Sequence, residues 1–133
     1  MKNIFLNSLL MAFFLFIGCS VKTQEKRDRV LSDFKIDSQF IIDSDYDFQG
    51  DSIRFHDIAE KEFFEIIEKS SIFEKFYVPR PGMVIEWSGG KVRFEEADKY
   101  LYSVGNPADG TIKVILFDQK SGDLYLIYSI GIM

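Results

Sequence analysis

The residues able to do chemistry in this chain are few and far apart. His56 is the only histidine. A zinc site takes three or four His, Cys or carboxylate ligands, and Glu60 is the only acid one helical turn away that can join His56. A Ser–His–acid relay needs a serine on an exposed nucleophile turn. Ser88 stands instead in Trp87-Ser88-Gly89-Gly90, which reads as the flank of a hairpin. Glu86 and Glu95 lie on either side of those glycines. Counting outward from Gly89-Gly90 sets Glu86 opposite Arg93, which predicts a cross-strand ion pair rather than a hydrolytic carboxylate pair. No glycine-rich loop joins a strand to a helix, so a nucleotide site has no support. His56 is expected to flank a helix start, and no catalytic residue and no cofactor are expected.

Two short stretches carry more specific signals. Asp43-Ser44-Asp45-Tyr46-Asp47 resembles the opening of an EF-hand calcium loop. Phe48 then stands where that loop needs its turn glycine, and Arg54 where it needs a bidentate glutamate. Asp43, Asp45 and Asp47 are therefore candidates for a weak, irregular calcium site inside what reads as a solvated acidic loop.

The other stretch ends in Cys19, the only cysteine. Lys2 precedes an apolar run of 14 residues, Ile4 to Ile17, broken only by Asn7 and Ser8. That is short of the ~20 residues needed to span a bilayer, and it suits the apolar region of a signal peptide. Phe16-Ile17-Gly18-Cys19 resembles the lipobox of bacterial lipoproteins, with bulkier residues at Phe16 and Ile17 than is usual. The resemblance implies cleavage between Gly18 and Cys19 and a lipid (diacylglycerol and palmitate) on the Cys19 residue, which anchors the chain to a lipid bilayer of the cell envelope. In the sorting rule of enteric-type bacteria, Asp after the cysteine retains a lipoprotein in the inner membrane; Ser20 points to the outer membrane.

The expected organisation is a signal peptide over 1–18, lipidated Cys19 with a tether over 19–33, and a single α+β domain over 34–133. Residues 20–35 carry five basic and three acidic side chains, whereas residues 36–133 carry 10 basic and 18 acidic. An acidic domain repels nucleic acid, and that partner is not expected. With Cys19 modified no thiol remains, which excludes disulfides and thiol chemistry.

Residues 20–33 show no sustained apolar period and read as linker. Phe34, Ile36, Phe40, Ile41 and Ile42 predict one strand or an irregular edge, Asp43–Asp51 a loop, and Ser52–Phe55 a half-buried strand. Asp57 as N-cap with Glu60 three later predicts a helix start. Ala59, Phe63, Ile66 and Ile67 make its apolar face. Pro79-Arg80-Pro81-Gly82 ends any regular element. Met83–Ser88 and Lys91–Glu95 predict a type I′ hairpin about Gly89-Gly90. Lys99–Val104 predicts a strand, and Thr111–Asp118 with Asp123–Ile130 a second hairpin whose strands are apolar on both faces and so covered on both. On the expected register Val114 and Leu116 share a face with Leu124 and Leu126, and Ile115 and Phe117 share one with Tyr125 and Ile127. The fold class is thus α+β: a short N-terminal β segment, one helix, then an antiparallel meander of about five strands packed against that helix.

Aromatic residues exceed what one helix can cover. Phe64 lies off the main helical face, Tyr100 and Tyr102 share a strand face, and Arg80 is held stiffly between two prolines. Arg80, Tyr100 and Tyr102 are candidate partner contacts. The expected function is a non-catalytic, membrane-tethered binding or accessory lipoprotein whose partner is an envelope or secreted protein. The alternative is an immunity or inhibitor lipoprotein that neutralises a toxin, its acidic surface steering onto a basic target.

Overall fold

A computed structural model describes residues 23–37, 39, 41, 43–96, 99–105 and 111–133. The elements are helix α1 (23–33), strands β1 (Tyr46–Phe48) and β2 (Ser52–Phe55), helix α2 (Glu60–Lys69), and strands β3 (Val84–Trp87), β4 (Gly90–Arg93), β5 (Tyr100–Gly105), β6 (Ile112–Asp118) and β7 (Leu124–Ile132). The α+β class holds, with five antiparallel strands after α2.

Helix α1 corrects the linker expected over 20–33. Val30, Leu31 and Phe34 are buried in the main core. Four residues before Val30 and Leu31, Lys26 lies over the Phe48 ring at 4.4 Å and Arg27 over the Tyr46 ring at 5.3 Å. The face toward the sheet therefore runs 26, 27, 30, 31, 34 at helical spacing, with Lys26, exposed, and Arg27, half-buried, over aromatic rings at its start and buried apolar side chains at its end. The helix ends in a Schellman turn: Lys35 N–H bonds Ser32 O at 3.1 Å, Ile36 N–H bonds Leu31 O at 2.9 Å, and Lys35 takes a φ of 55°. Tyr128 Oη donates to Asp33 Oδ2 at 2.6 Å, which fixes the end of α1 to β7.

Strand β7 organises the sheet. One edge pairs with β6 from Leu124 to Ser129. Its other edge pairs with β2 from Leu124 to Ile127, then with β3 from Ser129 to Ile132. Two hairpins, β1–β2 and β3–β4, thus meet end to end beside one long strand, and β5–β6–β7 is the meander. Where the hairpins meet, Gly50 (φ 58°) and Gly89 (φ 103°) pack backbone to backbone; a Cβ on Gly50 would lie 2.0 Å from Ser88 O and 2.6 Å from Gly89 Cα.

Both faces of the central strands are covered, as expected. One face meets the helices: Ile53, Phe55, Ile115, Phe117, Leu124 and Leu126 pack with Phe34, Phe63, Ile66 and Phe73. Phe63 stacks on Phe117 at 5.2 Å between ring centroids. The other face carries a second core of Met83, Ile85, Trp87, Phe94, Val114, Leu116 and Ile127.

Several local expectations are corrected. Ile115 pairs with Leu126 and Phe117 with Leu124, so those four share the helix face, while Val114 and Leu116 share the other face with Ile127 and Tyr125. The β3–β4 turn is Ser88-Gly89, because Gly90 already pairs with Trp87, and only Gly89 takes positive φ rather than two residues of a type I′ turn. That moves Glu86 opposite Lys91 and leaves Arg93 to pair with Glu95 at 3.3 Å. The segment 46–48, expected in a loop, forms β1. Residues 34–37 form a turn and an extended stretch rather than a strand; Phe40 and Ile42 lie outside the described residues. Asp57 does not cap α2: it takes a φ of 59°, and Ala59 is the N-cap with no side-chain bond. The chain turns at Asp57 so that Ile58 N–H can bond Gly122 O at 2.8 Å.

Candidate functional site

Helix α2 buries Phe63, Ile66 and Ile67 and leaves the adjacent Phe64 on its flank. After the helix the chain turns back sharply, because Ser70 Oγ accepts from the N–H groups of Ile72 and Phe73. It then runs along the outer edge of β5. Tyr77 N–H bonds Tyr102 O at 2.7 Å, Tyr102 N–H bonds Tyr77 O at 2.9 Å, and Ser103 Oγ donates to Lys75 O. This arrangement opens a groove of about 420 Å³ between α2 and the returning chain. Phe64, Ile67, Phe76 and Tyr77 line it, with Glu68, Glu74 and Lys75.

The rings of this groove form two sets of contacts, Phe63–Phe64–Phe76 and Tyr77–Tyr102. Phe64 and Phe76 lie 5.1 Å apart, Phe63 and Phe64 5.7 Å, and Tyr77 and Tyr102 5.7 Å. Phe76 is 45% exposed, Tyr77 50% and Val78 59%. A single exposed apolar residue carries no message, but several exposed rings lining one groove form the kind of surface that suits recognition. Rigid rings can receive an apolar side chain at small entropic cost, and Glu68, Glu74 and Lys75 give the groove a polar surround.

The second place of interest is polar. Arg54 alternates with Ile53 and Phe55, which face the helices, so it points to the opposite sheet face, beside its cross-strand neighbours Asp47 and Tyr125. Arg54 donates to both oxygens of Asp47, each at 3.1 Å. His56 lies between two carboxylates: Nε2 is 2.8 Å from Asp47 Oδ1 and Nδ1 is 3.0 Å from Asp123 Oδ1. Those bonds, first from Asp47 and then from Asp123, raise the imidazole pKa, with burial and Arg54 opposing. Burial alone would raise the Asp47 carboxyl, but Arg54 and His56 together hold it below its ordinary value. The Arg54 guanidinium is raised by Asp47 first and Tyr125 second. Both ring nitrogens of His56 are thus engaged by carboxylates, and the ring is a strut between β1 and the start of β7. A general base would need one of those nitrogens as an acceptor.

Glu60, the one acid that the sequence sets a helical turn from His56, faces Gln119 instead, at 3.4 Å from its Nε2. Asp47 and Asp123 approach different ring nitrogens, so they cannot share one ion with His56. Among the described residues no three His, Cys, Asp or Glu side chains converge as metal ligands. Of the calcium candidates, Asp47 has both oxygens engaged by Arg54 and His56, Asp43 lies in a turn, and Asp45 O accepts from His56 N–H at 2.9 Å.

Gly18 and Cys19 lie outside the described residues. Arg80 is exposed, and with Pro81, Gly82, Met83 and Met133 it lines a shallow depression away from the aromatic groove. Tyr102 reaches the groove through Tyr77, whereas Tyr100 packs on Phe94 at 5.0 Å beside the second core, where burial raises its phenol pKa. Among the three candidate partner contacts, the structure therefore joins only Tyr102 to the exposed aromatic patch. Phe76 and Tyr77 were visible in sequence only as two of many aromatics, because nothing there sets their chain against β5. No protein-family model, curated protein or solved structure matches the chain.

Proposed function

We propose that this chain is a non-catalytic, lipid-anchored binding or accessory protein of the bacterial cell envelope, on the outer membrane, and that its protein partner docks in the groove between α2 and the chain around Phe76. The observation that carries the binding role is the set of exposed rings lining one groove: Phe64 and Phe76 in contact, with Tyr77 held on a hydrogen-bonded edge. The anchor rests on the apolar leader ending in Gly18-Cys19. The mutual engagement of His56, Asp47, Asp123 and Arg54 supports a structural rather than catalytic use of the polar cluster.

The acids on α2, Glu60, Glu62, Glu65 and Glu68, favour one narrower form of this reading, an immunity or inhibitor role against a basic toxin. Partner capture by the 20–133 fragment tests the binding role. Tyr77→Ser with Phe76→Ser should abolish capture while the melting temperature stays close to wild type. Undiminished capture by the folded double variant would remove the groove from the function. Cys19→Ser should abolish palmitate labelling and detergent partitioning, since the thiol carries the lipid; unchanged labelling would overturn the anchor.

A further inference from the structure

The docked helix α1 changes what the anchor does. On the lipoprotein reading, which this inference rests on, the lipid sits on Cys19, and Thr23 at the start of α1 is held on the domain. Four residue steps reach at most about 14 Å whatever their conformation. A free tether running to residue 33 would reach about 50 Å and let the domain turn in any direction. The start of α1 is not loose: Thr23 meets Tyr46 Oη at 3.5 Å, and Lys26 and Arg27 lie over the rings of Phe48 and Tyr46. All three contacts fall on β1, one edge of the sheet.

The aromatic groove is at the other edge. From β1 the order runs β2, β7, β6, β5 and then the Tyr77 chain bridged to Tyr102. Those five strand-to-strand steps amount to about 24 Å along the sheet.

We propose that the anchored domain stands in a fixed orientation, with its β1 edge and the start of α1 against the bilayer surface and the Phe64–Phe76–Tyr77 groove turned away from it. The apolar groove then serves a protein partner in the aqueous space, and the lipid does not cover it. The short link makes α1 a spacer that sets height and direction together.

Depth measurements on the full lipidated chain test this. Gln24 and Glu74 are exposed, one at the start of α1 and one in the groove. With Cys19 converted to a thioether, Gln24→Cys or Glu74→Cys supplies the sole free thiol for a nitroxide label. The protein is reconstituted in phosphatidylcholine vesicles holding a nickel-chelating headgroup lipid, and the relaxation of each label by the headgroup nickel is compared. With a separation of order 20 Å, relaxation at position 24 should exceed that at 74 by more than about fivefold. Inserting 15 Gly/Ser residues between Lys22 and Thr23 should bring the ratio close to one without altering the lipid or the melting temperature. Equal relaxation at both positions in the uninserted chain, or stronger relaxation at 74, would overturn the orientation while the anchor stands. Intact mass showing no lipid on Cys19 would overturn the anchor reading and this inference with it.

Discussion

Phe63 and Phe64 are adjacent on α2 but belong to different parts of the molecule, and truncating each in turn separates the core from the groove. Phe63 is fully buried and its ring stacks on Phe117 with centroids 5.2 Å apart, 10° from parallel. Phe64 is 36% exposed and its ring meets Phe76 at 5.1 Å. Removing a buried phenyl forfeits ~1.5–3 kcal/mol of transfer free energy. The lost stacking and the cavity left under α2 add to this, so Phe63→Ala should cost about 3–5 kcal/mol. That is a large share of the ~5–15 kcal/mol that holds a typical domain folded. With a urea dependence of about 1.5 kcal/mol per molar, the denaturation midpoint should drop by roughly 2–3 M. Phe64→Ala should cost under about 1.5 kcal/mol, since much of its ring is already in water and its loss leaves no closed cavity. Urea titrations of the 20–133 fragment, followed by tryptophan emission from Trp87 in the second core, give both midpoints. Phe63→Ala as mild as Phe64→Ala would refute the placement of the α2 core face. Glu65→Ala, at an exposed-to-intermediate position, is the reference and should shift the midpoint by less than ~0.5 kcal/mol equivalent.

Three further outcomes follow from local geometry. Gly50→Ala should destabilise by at least about 2 kcal/mol, because its Cβ would meet Ser88 O and Gly89 Cα at a φ of 58°, whereas Gly82→Ala, at a φ of 83° with nothing within 4 Å, should cost only about 1 kcal/mol; equal thermal shifts would refute the end-to-end packing of the hairpins. Lys35→Gly should stabilise by up to about 1 kcal/mol in thermal melts by relieving the left-handed residue of the α1 turn, and a loss of stability there would refute that turn. The His56 pairs are part-exposed and contribute within about 1 kcal/mol. Because the folded imidazole pKa is raised, that contribution is complete below about 6.5 and fades as pH rises through the folded value; because the Asp47 pKa is lowered, its contribution is present above about 3.9 and fades as pH falls through the folded value. The melting difference between wild type and His56→Asn should therefore peak between about pH 4 and 6.5, and a difference unchanged from acid to alkaline pH would refute the ion-pair strut.

The elements after Asp51 were legible because their apolar residues follow simple periods: Phe63, Ile66 and Ile67 at helical spacing, and the unbroken apolar runs of β6 and β7. A run that is apolar on both faces signals burial but cannot fix register. The sequence pattern therefore places the facing of β6 against β7 one residue out, and in a strand one residue is the difference between the two faces. The β3–β4 turn was misplaced by the same amount, since Gly89 and Gly90 look alike in sequence. Gly90 is glycine for another reason: a Cβ there would lie 2.6 Å from the Trp87 ring. Helix α1 was missed because its inner stripe begins with Lys26 and Arg27. Both carry charge and follow no apolar period; only the rings of Phe48 and Tyr46, about 20 residues away, show that they lie on the side of α1 that faces β1.

The same limit governs what the sequence could say about a site. His56 was singled out for its chemistry, yet its partners, Asp47 and Asp123, are 9 and 67 residues away. Pairing along β1–β2–β7 is what sets the ring between two carboxylates that engage both of its nitrogens. The groove is the reverse case. Its residues are unremarkable by type, and only the bridge of Tyr77 to Tyr102 and the turn at Ser70 leave Phe64, Phe76 and Tyr77 exposed together. Burying these rings would gain the fold free energy, and the chain between α2 and β3 instead holds them at the surface on a hydrogen-bonded edge. That exposure carries a cost in water and in aggregation that a purely structural loop has no reason to bear. On the proposed anchoring at Cys19, the domain lies within about 14 Å of its anchor residue, and the rings on the edge opposite β1 would then face a partner in the aqueous space.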